Sequence, residues 1–187
     1  MDIFTCNQNR RTIRKFQQTP IDERLLTRLL EAARLCPSAG NFQPLRYRIV
    51  SGHQACEELF PHLKWAAYLP DGAPKSDEKP VAYIIIAQDL SIRSADASLD
   101  AGAAAMTINL CAEENGIASC WIGSVDRSAV KKMYQLSDDL KILLILALGY
   151  PAQTSVTVPV VDGNIRYYAD DACNLYVPKR TLEEILF

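Results

Sequence analysis

"DAGAAAMTINLCAEENGIASCWIGS", residues 100–124, holds a long helix, its stop signal and the strand that follows. Ala101, Gly102, Ala103, Ala104 and Ala105 give the helix a small-residue surface, suited to close packing on another helix or a sheet. Gly116 supplies the left-handed residue that closes it. "ASCWIGS" then reads as a short strand and a loop.

The elements on either side have the same clarity. Upstream, "VAYIIIAQD" (81–89) is an apolar, β-rich run bounded by Pro80, which marks a buried strand. Downstream, "RSAVKKMYQL" (127–136) reads as a helix and "KILLILALGYP" (141–151) as a second buried strand. Nearer the N-terminus, "TPIDERLLTRLLEAARLCP" (19–37) has apolar residues at 21, 25, 26, 29, 30 and 33, the stripe of an amphipathic helix. Thr19, Pro20 and the acids at 22 and 23 mark its start, and Pro37 its end. "RYRIVSG" (46–52) is a strand and "QACEELF" (54–60) a short helix, followed by an irregular span from Pro61 to Pro80. Helices and strands thus alternate in a layered α/β domain, an order that by itself favours a parallel sheet.

Beyond Pro151 the character changes. "VTVPVVDGNIRYY" (156–168) predicts a hairpin about Asp162-Gly163. "CNLYVPKRTLEEILF" (173–187) predicts an extended piece that ends in a short amphipathic segment.

Composition narrows the function classes. The 187 residues are 49% hydrophobic and 22% charged, with a net charge of −2, so there is no bulk attraction to nucleic acid or membrane. The longest apolar run, Ile142 to Leu148, is far short of a membrane span, and "MDIFTCNQNRR" has no apolar core for a signal peptide. Six scattered cysteines without a Cys-x-x-Cys pair predict reduced, mostly buried thiols and a cytoplasmic address. His53 and His62 lack metal-ligand spacing, and Asp96 and Asp100 fit helix-start acids. No metal site is expected.

Glycine-rich phosphate signatures are missing as well. A phosphorylated cofactor would need side chains, and two basic clusters qualify: "RRTIRKF" (10–16), with Arg10, Arg11 and Arg14 around Thr12, and Lys179-Arg180 beside Thr181. Opposite charges at close range near a surface are worth about 4 kcal/mol each before desolvation. Two or three such contacts supply much of the roughly 8 kcal/mol of micromolar binding. The third polar feature is "CPSAGNFQP" (36–44), a helix-to-strand loop with two amides, no ionisable side chain except the Cys36 thiol, and Gly40 for a close backbone approach.

"RRTIRKF", "LLEAARLCPSAGNFQPLRYRIV", "DAGAAAMTINLCAEENGIASCWIG" and "LLILALGYP" stand in an order and spacing that resemble the nitroreductase family of flavoenzymes, over about residues 9–151. The "VPKRTLEEIL" ending (177–186) resembles the family's terminal basic motif. The resemblance implies an α+β fold with a central, mostly antiparallel sheet flanked by helices, in place of the parallel sheet. It also implies an intertwined homodimer with FMN at the subunit interface. Residues 1–151 would form the flavin-binding core, and 152–187 an exchanged C-terminal arm that completes the partner's sheet and the phosphate site.

By the same resemblance, Arg10 and Thr12 would meet the FMN phosphate or ribityl chain, Thr12 standing where the family usually has Ser. Arg11 would lie along the flavin, and Arg14 near its N1/O2 edge, where a fixed cation stabilises the reduced form. Lys179 and Arg180 would complete the phosphate site. Pro37, Ser38 and Ala39 of the second subunit would line the ring, with Asn41 and Gln43 at its polar edge or fixing the loop. Ile122 would pack on the ring, and the backbone of Gly123 and Ser124 would lie near N5.

The implied chemistry takes hydride from NADH or NADPH and reduces nitro compounds, quinones or a similar small acceptor in a ping-pong cycle. No side chain is named as catalytic, because flavin N5 carries the reaction. The alternative is a non-catalytic flavin-binding or redox-sensor dimer. Two departures stand out: Leu45 where many relatives have Trp, and a short 61–80 span, whose Trp65 and Tyr68 either wall the acceptor site or pack as local core.

Overall fold

A computed structural model describes residues 2–69 and 72–187. Among them, the helices are α1 (Ile3–Asn9), α2 (Glu23–Arg34), α3 (His53–Leu59), α4 (Ser98–Glu114) and α5 (Arg127–Met133). The strands are β1 (Leu45–Ser51), β2 (Ala82–Asp89), β3 (Ala118–Ile122), β4 (Leu140–Gly149), β5 (Ser155–Pro159), β6 (Tyr168–Ala169) and β7 (Leu175–Lys179). None of the helices is long and apolar enough to cross a membrane.

The main sheet has the order β1-β2-β4-β3, and every neighbouring pair is antiparallel. The fold is therefore α+β with an antiparallel sheet, and the parallel sheet favoured by element order alone is overturned. The reason lies in burial. Ile84, Ile86, Leu146 and Leu148 face α2 and α4, while Tyr83, Ile85, Ile145 and Ala147 face α3, α5 and the N-terminal segment. Strands covered on both sides lose polar alternation and read as continuous apolar runs, whatever their direction.

Local chemistry sets the element ends. Asp22 caps α2 by accepting from the Arg24 N–H at 2.7 Å, so the helix starts three residues later than Thr19 suggests. Leu26, Leu29 and Ala33 form its buried stripe against α4. Gly116, at φ +71°, follows the end of α4 as expected. The N-terminal helix α1 was not expected. It buries Cys6 alone and is capped by Asp2, which accepts from the Thr5 N–H at 3.0 Å.

The C-terminal prediction is corrected in two places. Asp162 (φ +50°) and Gly163 (φ +71°) do make a tight turn, closed by the Val161–Asn164 bridge. Its flanks do not pair as a hairpin, however: β5 runs parallel to β7, and β6 pairs antiparallel to β7, in a separate sheet ordered β5-β7-β6. The closing amphipathic segment is a turn rather than a helix. In the irregular 61–80 span, Pro70 and Asp71 lie outside the described residues.

Candidate active site

The basic segment begins where α1 stops. The Arg10 N–H closes on the Cys6 carbonyl, and the chain then runs beside β3, with Thr12 bridging Ser119 and the Ile13 N–H donating to the Ser119 carbonyl at 3.0 Å. Ile13 and Phe16 point into the core, which leaves Arg14 and Lys15 half-buried at its margin. Gly149 permits this approach, since a Cβ there would lie 2.8 Å from Phe16.

The charges of this segment are unevenly satisfied. Lys15 pairs with Glu78 at 3.0 Å. Arg11 donates to the carbonyls of Arg10 and Gln8, and burial, then the Arg10 charge, lower its proton affinity. Burial raises the Glu113 carboxyl, against the pull of Arg10 and Arg11. The Arg10 Nε is buried without a hydrogen-bond partner, and so is the Ser155 hydroxyl. Ser155, Arg11 and Glu113 line one cavity of about 220 Å³. A buried guanidinium donor without an acceptor fits a site for an anion.

The 36–44 loop stands at the other end of α4. Its Ala39–Asn41 stretch is a short 3₁₀ turn, with Gly40 at φ +58°, Asn41 at +54° and Gln43 at +52°. A Cβ on Gly40 would sit 2.8 Å from the Phe42 ring. The Ser38 hydroxyl accepts from the Gln43 N–H at 2.8 Å, and the Gln43 amide donates to the Asn41 side chain at 3.2 Å. Ala39, Gly40 and Asn41 are exposed, and the loop borders a cleft of about 500 Å³ that Cys36, Tyr47 and Asp100 also line.

At the end of β3, Ile122 is 3% exposed and packs in the core with Leu63 and Val130, while Gly123 and Ser124 are open to solvent. The 61–80 span is fastened alongside: the Lys64 N–H donates to the Ser124 carbonyl at 3.0 Å. Trp65 stacks on Phe60 and packs, partly buried, against the core. Tyr68 instead meets Tyr167, ring centroids 4.9 Å apart, and Arg14 lies 4.6 Å from the centroid of Tyr167. Lys179 ends β7 and Arg180 follows it, both exposed, with Arg180 facing Glu184 at 3.8 Å.

One chain does not bring its two clusters together. Asp100 accepts from the Ala39 N–H at 3.2 Å, whereas Glu113 sits beside Arg10 and Arg11. From Asp100 to Glu113 the helix rises about 20 Å at 1.5 Å per residue. Motif reading missed Gln153 and Tyr167, which dock the C-terminal segment onto Arg14, and Gln88 and Arg93, which support the loop. Only Gln88 carried a signal, as a polar residue inside a fully buried strand.

The nitroreductase family pattern matches residues 8–150 of this chain. The chain belongs to the nitroreductase family. A Methanothermobacter thermautotrophicus protein provisionally named NADH dehydrogenase/NAD(P)H nitroreductase is 29% identical over 168 residues, covering 87% of this chain and 84% of that one. The 5,6-dimethylbenzimidazole synthase of Rhodospirillum rubrum is 25% identical over 173 residues, covering 78% and 80%. Among nitroreductase-fold structures, a Desulfovibrio desulfuricans protein solved in complex with FMN superposes with a TM-score of 0.74. It is 20% identical and covers all of this chain and 96% of that one.

Proposed function

We propose that the protein is an FMN-dependent oxidoreductase that takes hydride from NADH or NADPH and passes electrons to a small acceptor such as a nitro compound or quinone. The observation that carries this reading is the buried, unpartnered Arg10 Nε, at the head of a basic segment along β3 in a member of this family. FMN, when bound, supplies the hydride acceptance and electron release of the reaction. The chain supplies the setting.

Arg10, Arg11 and Thr12 hold the phosphate and ribityl end, joined by Lys179 and Arg180. Arg14 places a cation at the pyrimidine edge, where it favours the reduced cofactor. Pro37, Ser38, Ala39 and Asn41 give a thin, uncharged wall for the ring, and Gln43 fixes that wall. Ile122, buried at the end of β3, would back the ring from within the core, and the open backbone of Gly123 and Ser124 would serve the reacting end of the site. Donor and acceptor would reach the same open side of the site in turn, which would make the kinetics ping-pong.

The site is shared between two chains. The gap of about 20 Å along α4 between the Arg10 cluster and the 36–44 loop is closed when two α4 helices pack antiparallel across a two-fold axis. The outward side of α4 suits this: Leu99 is 89% exposed, and Gly102 has open space in front of it. Residues 152–187 then act as an arm that completes the partner's sheet and the phosphate site.

The test is a visible spectrum of the protein after excess FMN is added and removed, followed by NADH or NADPH without oxygen. A retained flavin band that bleaches supports the enzyme. A retained band that no nicotinamide bleaches sinks the enzyme and leaves a flavin-binding or sensor dimer. No retained band sinks the site.

A further inference from the structure

The wall of the 36–44 loop is held from outside the loop. Ala39 has both backbone groups engaged: its N–H donates to Asp100 Oδ1 at 3.2 Å, and its carbonyl accepts from Arg93 at 3.5 Å. Arg93 and Asp100 form an ion pair at 4.0 Å, with the Asp100 side chain 7% exposed. The Arg93 guanidinium also lies 5.6 Å from the Phe42 ring centroid, and Phe42 is the ring that closes over Gly40. One ion pair thus grips the loop on both sides of its left-handed turn.

The grip has a base of its own. Gln88, fully buried at the end of β2, donates through its amide to the carbonyls of Arg93 and Ala95, each at 2.7 Å. Its oxygen accepts from the Ala97 N–H at 3.3 Å, immediately before α4 begins. Gln88 thus ties the 89–97 connection, which presents Arg93 and then Asp100, to the sheet, together with Asp89, which accepts from Ser91, and Lys141, which pairs with Asp96 at 3.7 Å. A buried carboxylate needs a charge or donors to offset its desolvation. Here Oδ1 has the Ala39 N–H as donor, while Oδ2 has no hydrogen-bond partner and only the Arg93 charge at 4.0 Å, so what compensates the carboxylate leads to Ala39.

Asn41 and Gln43 at positive φ make this backbone costly to hold, since residues with a side chain disfavour the left-handed region. Such a conformation persists only where its surroundings over-determine it. We propose that Gln88, Arg93 and Asp100 are positioning residues that preorganise the 36–44 loop as a cofactor wall. This rests on the flavin reading above, and the experiment separates the two.

Hydrogen exchange of the 36–44 peptide is followed in FMN-free protein, and FMN affinity is titrated by flavin fluorescence. Wild type is compared with Asp100→Asn, Arg93→Gln and Arg93→Lys, and with Asp96→Asn as a control at the same helix start. Loss of a charge-assisted bond predicts exchange about tenfold faster in Asp100→Asn and Arg93→Gln, with FMN binding weaker by a similar factor. Arg93→Lys, which keeps the charge without the fork, recovers part of both, and Asp96→Asn changes neither. Arg93→Gln carries the test if Asp100→Asn does not fold. Unchanged exchange in the loop overturns the proposal, and faster exchange with unchanged FMN affinity overturns its link to the cofactor. Faster exchange in a protein that binds no FMN at all sinks the flavin reading and leaves the clamp standing.

Discussion

The Arg14 guanidinium lies 4.6 Å from the centroid of the Tyr167 ring, so the N-terminal basic segment and the C-terminal segment meet there. The C-terminal segment is tied at the same place by Gln153, which accepts from the Arg14 N–H at 3.0 Å and donates to the Cys173 carbonyl at 3.4 Å. Partly exposed cation–π contacts are worth about 0.5–1 kcal/mol. Tyr167→Leu is expected to speed proteolytic cleavage of the 152–187 region by about two- to fivefold, a factor that follows from that energy. Tyr167→Phe keeps the ring and leaves the rate unchanged. Limited proteolysis with mass readout decides, and equal rates in all three proteins would remove Tyr167 from the docking.

Arg10 separates binding from stability. Its Nε is already buried without a hydrogen-bond partner, so truncation removes a desolvated donor, and of the charge pulling on Glu113 it leaves the Arg11 part. Arg10→Ala is expected to leave the melting temperature of the FMN-free protein within about 2 °C, a surface-like change. FMN affinity falls by about ten- to a hundredfold, the loss of one charge-assisted contact. Calorimetry and a fluorescence titration measure the two quantities. A large loss of stability with unchanged affinity would make Arg10 structural.

How much of this was legible beforehand follows from what each residue senses locally. The central strands and α4 could be read, because burial forces apolar runs and helix caps demand particular residues. Strand direction could not, since double burial erases alternation in parallel and antiparallel sheets alike. α1 was missed because a helix that buries only Cys6 has no stripe to detect. The basic segment and the loop were found through motifs in the chain. Their supports were not: Gln88, Arg93 and Asp100 act on Ala39 from about fifty to sixty positions away, and only tertiary contact reveals the pairing.

Acid should weaken the protein through Glu78. Burial raises its carboxyl, but the Lys75 N–H and the Lys15 ammonium outweigh it, and the net position lies below the ordinary 4.5. A depressed carboxylate contributes stability above its unfolded pKa and loses it as pH falls through the folded value. Thermal stability should therefore decline from about pH 5 downward. Glu78→Gln should be less stable at pH 7 and show a shallower acid limb. Melting curves between pH 3 and 7 test this, and parallel limbs in the two proteins would exclude Glu78 as a contributor.

The proposal that two subunits share each site can be tested by complementation. In one chain the Arg10 cluster and the 36–44 loop stand about 20 Å apart along α4, so each flavin would draw Arg10 from one subunit and the loop from the other. Gly40→Val places a side chain at φ +58° and against the Phe42 ring, which should spoil the loop. An Arg10→Ala chain paired with a Gly40→Val chain then makes one doubly damaged site and one site with both parts intact. Differently tagged chains, unfolded together, refolded and purified as the mixed dimer, should bind FMN at wild-type affinity with about half occupancy, while either variant alone binds weakly. If both parts serve the same subunit's flavin, every site in the mixed dimer carries one defect, and no wild-type affinity returns.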